Sequence, residues 1–441
     1  MRPLFLFFKV IITYGLSVFF RKTVTVNPRK KFKDQSINVV NHASAFMDPW
    51  VVAVKQNPIV FFMTRSDVFK PAINPFLWAT HLLPIYRQAE DGVDSQKKNE
   101  AVFKKVYDIL DSKRSIMIFG EGYTDDVFVR SLKPLKKGPA RMAFGKMEMD
   151  NWEMDLKIVA SGINYTDPNI FRSDILISNS DPIMVRDYKD LYLENQAKGI
   201  NKLTSDIENA LKKQLTYLEV PKLTPFLDQI QTITKKGMIH NQASRKLSMK
   251  ERWLYSQNTA NKINEVYSED KPEWSNLKTK LDGYFSKLKS NHIDDNWILE
   301  YSETGKIATL KDWLFLVFGL PLFLVGCLHN LLPYLFIKRF VEKTFKRRVF
   351  WSGVKFLMGY LVFFLTNLPY LWVFYYLIYP SYWLGTAYVL IATVVFGLIA
   401  YNYYLSAKAL FIKRKLTEKH LKYFSALRAQ VKKMVSGLNL D

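Results

Sequence analysis

The chain has 441 residues and 49% of them are hydrophobic, yet its mean hydropathy is near zero. Greasy and charged stretches must therefore be segregated along it. A net charge of +23 calls for an anionic partner; beside long apolar blocks this fits an anionic membrane surface and leaves nucleic acid out. The one cysteine, Cys327, excludes an intrachain disulfide framework and a cysteine zinc site.

From the N-terminus, Pro3 to Phe20 is almost wholly apolar, interrupted by Lys9 and closed by Arg21 and Lys22. No small-residue cleavage pattern follows, so the stretch reads as a retained helix in the membrane interface with a basic cytoplasmic flank. From Ile37 to about Met184, short apolar runs alternate with helical patterns. Strands are predicted at Ile37–Val40, Ile59–Met63, Leu83–Tyr86, Ile116–Phe119, Lys157–Ala160 and Ile175–Ser178, and helices starting near Asp48, Asp67, Ser95 and Lys137. Asp48 is the expected N-cap of the first of these helices, with Pro49 in its first turn. This is an α/β pattern: a sheet covered on both faces, with loops at one edge to carry a site.

From Tyr188 to about Tyr301 the composition turns to charged helical segments. Leu203, Ile207, Leu211, Leu215 and Leu218 recur at helical spacing, and Ser205 with Glu208 fits a capping box. Three apolar blocks follow, Trp313–Ile337, Gly353–Tyr379 and Trp383–Leu405, each long enough for a bilayer core of roughly 30 Å. Basic clusters lie after the first (Lys338, Arg339, Lys343, Lys346, Arg347, Arg348) and after the third (Lys408, Lys413, Arg414, Lys415). If both face the cytoplasm, the last two blocks form a hairpin turning at Tyr379–Tyr382. The first then enters and leaves on one side, and its Pro321, Asn330 and Pro333 suit a broken, re-entrant element. The resulting division is 1–30, an interface helix; 31–187, an αβ domain; 188–310, a helical subdomain; 311–406, a membrane region of two or three apolar helices; and 407–441, a basic cytoplasmic tail.

The chemistry sits at strand ends. Asn41-His42-Ala43-Ser44-Ala45-Phe46-Met47-Asp48-Pro49 places an imidazole after a strand with a carboxylate close behind it. That carboxylate fixes one ring nitrogen as donor and leaves the other free to take a proton. Arg87 ends the Pro84-Ile85-Tyr86-Arg87 run and can fork onto a phosphate or carboxylate. Glu121, between Gly120 and Gly122, delivers a carboxylate where the backbone can approach a ligand closely. Lys133, Lys136, Lys137 and Arg141 gather at the start of a predicted helix, a reasonable phosphate site. Each of these residues alone also fits an ordinary core, loop or surface role.

Taken in order, the set resembles the glycerolipid acyltransferase superfamily, in particular its branch with five residues between the motif histidine and aspartate. The first motif falls on Asn41-His42 through Asp48-Pro49, and the second, ending in a phosphate-contacting arginine, on Pro84 to Arg87. The third falls on Phe119 to Gly122, followed by Pro134 to Arg141, and the fourth on Ile158 to Tyr165 with Phe171-Arg172-Ser173 shortly after. Three positions depart from the pattern: Gly120 replaces a proline, His81 stands where glycine is common, and Asp125 stands where the branch often has histidine or a basic residue. These put acceptor choice in question more than reaction type.

The resemblance implies an αβ sandwich with a mixed sheet flanked by helices, to which the helical insertion and C-terminal membrane helices are added. It implies an integral membrane O-acyltransferase of phospholipid biosynthesis on the cytoplasmic face of a bacterial inner membrane. His42 and Asp48 would be catalytic. Arg87 with Lys133, Lys136 or Lys137 would hold the acceptor's anionic group, and Asn41, Glu121 and Gly122 would complete the substrate site, Glu121 binding an acceptor hydroxyl or bracing its loop. The donor is an acyl-CoA or acyl carrier protein thioester, and the acceptor glycerol-3-phosphate or a lyso-lipid. No cofactor or metal is expected, because Asp125 and Asp126 beside each other on a turn suit solvation better than ligation. A non-catalytic membrane scaffold or transporter-like protein retaining such a domain is the other reading.

Overall fold

The computed structural model describes residues 2–30, 33–55, 60–86, 95–240, 246–269 and 272–438. They form two compact units, one of residues 1–224 with 247–261 and one of 225–246 with 262–441.

The first unit is built on an eight-stranded mixed sheet. Its strands are β1 (Lys22–Val26), β2 (Ser36–Val40), β3 (Val60–Arg65), β4 (Leu82–Ile85), β5 (Ser115–Phe119), β6 (Lys157–Tyr165), β7 (Asp174–Asn179) and β8 (Ile183–Met184). They lie in the order β1-β7-β6-β2-β5-β3-β4, with β8 also on β6. The central strand β2 is buried along its whole length and runs parallel to both neighbours, β5 and β6. Ile37, Val39 and Val40 suit a strand covered on both faces, and its buried Ser36 and Asn38 side chains are hydrogen-bonded to Ser115 Oγ and the Ile116 carbonyl. Only the pairs of β6 with β7 and β8 are antiparallel.

The helices of this unit up to residue 224 include α1 (Arg2–Phe19), α2 (Met47–Lys55), α3 (Asn74–Ala79), α4 (Ser95–Asp111), α5 (Gly138–Met149), α6 (Lys189–Glu194) and α7 (Gln196–Lys212). The apolar N-terminal stretch is α1. It buries Phe5 and Leu16 and leaves Phe7, Val10 and Tyr14 exposed. Arg172, a residue of the Phe171-Arg172-Ser173 segment, donates from its guanidinium to the Ser17 and Val18 carbonyls at 3.1 and 3.2 Å, closing that helix's open end. Arg21 is not a free basic flank, because it forks onto the buried Asp174, and Lys22 opens β1.

Several local expectations need correction. No long helix starts at Asp67; Ser66–Val68 is a single 3₁₀ turn and the helix begins at Asn74. Ser205 and Glu208 do not cap a helix, since α7 begins at Gln196 with Asn195 accepting the Lys198 N–H. Glu208 instead accepts from Leu135 N at 3.1 Å. The boundary placed at residue 187 is not a packing boundary either. Leu203, Ile207 and Leu211 of α7, and Leu215 beyond it, belong to the same hydrophobic core as Ile37, Ile116 and Ile158 of the sheet.

The second unit is helical. At one centre Asp295, almost wholly buried, accepts from Lys235 Nζ at 2.8 Å, Tyr284 OH at 2.8 Å and Arg428 Nε at 2.9 Å. Burial pushes the Asp295 carboxyl up, but Lys235 and Arg428 outweigh it and hold the group below the usual aspartate range. Arg428 lies on the helix Glu418–Ser436, so the basic C-terminal segment is docked by an ion network. Among the described residues, three helices are long and apolar enough to cross a membrane: Leu310–Thr344, Arg348–Leu377 and Tyr382–Lys413.

The first of these is one continuous helix of 35 residues, not a broken element. Pro333 cannot bond the carbonyl four residues back, that of His329; Asn367 Nδ2 serves it instead at 3.3 Å. The His329 ring is buried and meets Asn367 Oδ1 at 2.6 Å and Tyr388 OH at 2.9 Å, so three helices share one polar clasp. The second helix follows the C-terminal half of the first, through Lys355 with Glu342 and Tyr370 with the Leu328 carbonyl. The third follows the first from Asn330, which meets the Ala392 carbonyl, back to its N-terminal half, where Tyr403 meets the Leu316 carbonyl. The two touch each other near their turn, where Tyr375 stacks on Tyr382 at 4.4 Å. Both basic clusters therefore lie away from that turn.

Candidate active site

Sheet register assembles the site. β2 and β5 are parallel with Val40 opposite Phe119, so the second residues beyond them, His42 and Glu121, emerge side by side. The His42 N–H donates to Glu121 Oε1 at 2.7 Å, and the Lys133 N–H to Glu121 Oε2 at 3.0 Å. Both carboxylate oxygens are thus spent on backbone, and of its two expected roles the bracing one is what the geometry displays. Burial pushes the Glu121 carboxyl above its ordinary range, against the pull of those two N–H donors.

His42 Nδ1 lies 2.9 Å from Asp48 Oδ2. The same oxygen accepts the Ser44 N–H at 2.8 Å, and Oδ1 accepts the Tyr165 hydroxyl at 2.8 Å. Asp48 is fully buried and its three donors supply what a buried carboxylate requires. It is consequently no N-cap: α2 begins at Met47 and Asp48 sits inside its first turn. With Asp48 accepting, His42 carries its proton on Nδ1 and presents Nε2 as an acceptor. The ring stacks on Phe119, centroids 4.1 Å apart, and is held in place from that face as well.

Asn41 continues the β2 ladder with its side chain: its Oδ1 accepts the Ile163 N–H at 2.7 Å and its Nδ2 donates to the Ile163 carbonyl at 3.2 Å. It fixes the strand end that carries His42. A small pocket opens between Asn41, His42, Glu121, Asp125, Val127 and Ser131. Gly122, at φ 78°, makes the turn beneath it, and the Lys136 stem lies over this glycine. Lys136 and Lys137 are exposed, Lys137 immediately before α5. Lys133 is paired with Asp125. Arg87 lies outside the described residues.

Two residues have a structural role at the site that the sequence did not assign them. Tyr165 is one: its partnership with Asp48 spans 117 residues, and the signal available was an aromatic closing a strand that ends at the site. Burial, first, and the Asp48 charge push its hydroxyl well above the tyrosine range, so it remains a donor. The other is the buried Arg130, which donates to the Tyr165 and Thr166 carbonyls at 3.0 and 3.1 Å and holds that strand end. Tyr165→Phe is expected to cost about 1–3 kcal/mol, the loss of one donor to a buried acceptor. Thermal unfolding in detergent measures it, and an unmoved midpoint would remove the tyrosine from the site's support.

The motif departures have local reasons. A Cβ on Gly120 would come within 2.8 Å of Leu135 Cδ2 and Val39 Cγ1. The Gly120 N–H also donates to the Val40 carbonyl at 3.1 Å, a bond proline lacks. His81 has φ 67°, a conformation glycine adopts most easily. Its ring lies between Phe5 and Phe61 at 4.4 and 4.1 Å, and burial pushes its pKa down to about 4.

The mixed sheet thus presents an imidazole, oriented by a buried carboxylate, beside a braced glutamate. Residues 21–159 match the family model described as Acyltransferase. Glycerol-3-phosphate O-acyltransferase 2 of Saccharomyces cerevisiae is 27% identical over 234 residues, which are 53% of this chain and 30% of that protein. Glycerol-3-phosphate O-acyltransferase 1 of the same yeast is 38% identical over 84 residues, 19% of this chain and 11% of that protein. The matches thus span less than a third of either relative. Among solved structures, the 1-acyl-sn-glycerophosphate acyltransferase of Thermotoga maritima is similar at 14% identity and a TM-score of 0.32, covering 46% of this chain and 77% of that one.

Proposed function

We propose that this protein is a membrane-bound O-acyltransferase that moves a fatty acyl group from a thioester donor, acyl-CoA or acyl carrier protein, to glycerol-3-phosphate or lysophosphatidate. The observation that carries the reading is the His42–Asp48 pair, with Nδ1 committed at 2.9 Å and Nε2 left as the acceptor on a residue that lines the pocket. Nε2 takes the proton of the acceptor hydroxyl as its oxygen attacks the thioester carbonyl. The C–S bond breaks, and the imidazolium returns the proton to the departing thiolate. No acyl-enzyme is needed.

Three helices of membrane-spanning length support residence in a bilayer, where long acyl chains partition. By the bias of Lys and Arg to the cytoplasmic side, the basic clusters favour that face of a bacterial inner membrane for the segments that carry them. Arg87, Lys136 and Lys137 are the proposed holders of the acceptor phosphate, the Lys136 stem lying over Gly122 next to Glu121 of the pocket. Thioester consumption by the purified protein, with glycerol-3-phosphate and lysophosphatidate as acceptors and both donors, tests the reading. Transfer to neither acceptor from either donor overturns it and leaves the non-catalytic scaffold. Arg87→Ala is expected to raise the acceptor KM far more than the donor KM; an equal rise in both removes the arginine from phosphate binding.

A further inference from the structure

Lys133 is the cation tied most directly to the catalytic loop, since its own N–H braces Glu121. Its ammonium is nevertheless already engaged. Nζ pairs with Asp125 Oδ2 and lies 4.7 Å from the centroid of the Tyr123 ring. Asp125 in turn lines the same pocket as His42 and Glu121. A carboxylate therefore stands, next to the catalytic histidine, on a lysine that could otherwise meet an incoming anion.

The pair's exposure matters to what it can do. The Lys133 side chain is 17% exposed and that of Asp125 42%, so water reaches the pair and the carboxylate is its more solvated partner. Pairs of this kind are weak, because water solvates the freed carboxylate well. A phosphate monoester carries more charge than one carboxylate and offers three acceptor oxygens to the ammonium's three donors. It is the kind of ligand that displaces Asp125.

Building on the acyltransferase reading above, we propose that Asp125 is a specificity-determining residue that sets acceptor affinity. Its carboxylate occupies Lys133 until the acceptor's phosphate takes the ammonium over, and every phosphate-bearing acceptor must carry out this exchange to bind. The opposite role, in which Asp125 holds Lys133 in place to greet the acceptor, predicts effects of the opposite sign.

The test is Asp125→Asn, which keeps the side-chain volume and removes the charge. Initial rates with glycerol-3-phosphate varied at fixed thioester are expected to show an acceptor KM about three- to tenfold lower, the scale of one partly screened charge. The donor KM stays where it was. Binding of inorganic phosphate to the full-length protein, followed by calorimetry, tightens by a similar factor. On a Lys133→Gln background the same substitution changes neither value. An acceptor KM that is unchanged or raised overturns the proposal, and so does a decrease that survives on the Lys133→Gln background. The phosphate-binding arm needs no turnover, so a protein that forms no ester would sink the acyltransferase reading while this exchange is still read from calorimetry.

Discussion

His42→Ala is expected to lower acyl transfer by about 10² to 10⁴, the usual worth of a positioned base. The geometry makes this substitution unusually clean. The histidine's backbone N–H braces Glu121 Oε1 at 2.7 Å, and alanine retains it, so the Glu121 loop keeps its shape. What alanine loses is the imidazole, with its Nε2 acceptor and its stack on Phe119. The effect should therefore fall on kcat, with the acceptor KM close to that of the unaltered protein, because the groups proposed to hold phosphate are untouched. Single-turnover transfer by purified protein in detergent, with a thermal melt as control for folding, gives the answer. A folded variant that transfers acyl groups at near-normal rate would leave the mechanism without its base.

The sequence disclosed most of the strands and the His42–Asp48 pairing because both are local signals. The run Ile37–Val40 lies within the observed Ser36–Val40 strand, and His42 and Asp48, six residues apart, are close enough in sequence for their pairing to be foreseen. What the sequence hid was non-local. β1 pairs with β7 about 150 residues further on, and its opening Lys22, following an apolar helix and Arg21, looks like a membrane flank. The Tyr165–Asp48 bond depends on β6 running four residues past Ser161, the residue paired with Val40. Two misreadings share a different cause. Asp48 and Ser205 have the chemistry of helix caps, but each helix starts upstream of them, and Asp48's oxygens go to His42, Ser44 and Tyr165. In the membrane region, Pro321 and Pro333 signalled a break by their missing donors. The helix stays whole at Pro333 because Asn367, on another helix, serves the His329 carbonyl, a compensation that no window along the chain contains.

Asp48→Asn separates the two things that the buried aspartate does. The Ser44 N–H and His42 Nδ1 both converge on Oδ2, at 2.8 and 2.9 Å, while the Tyr165 hydroxyl addresses Oδ1 at 2.8 Å. An asparagine can leave its carbonyl oxygen on the Oδ2 position, where the fixed Ser44 N–H demands an acceptor, and turn its NH₂ toward the rotatable Tyr165 hydroxyl. The imidazole tautomer and orientation then survive, and only the negative charge is lost. That charge stabilises the imidazolium formed when Nε2 takes the proton. Two unit charges about 4 Å apart at an effective dielectric near 20 interact by about 4 kcal/mol, so a fall in kcat of about 10² to 10³ is expected, with both KM values little changed. Asp48→Ala should do more, because it strands three buried donors and loosens the ring together with the fold. The comparison of the two variants by kcat and thermal midpoint carries the argument. If Asp48→Asn keeps full activity, orientation alone is the carboxylate's contribution; if it loses as much stability as Asp48→Ala, the amide has not replaced the hydrogen bonds and the assignment of Oδ2 to both Ser44 and His42 is at fault.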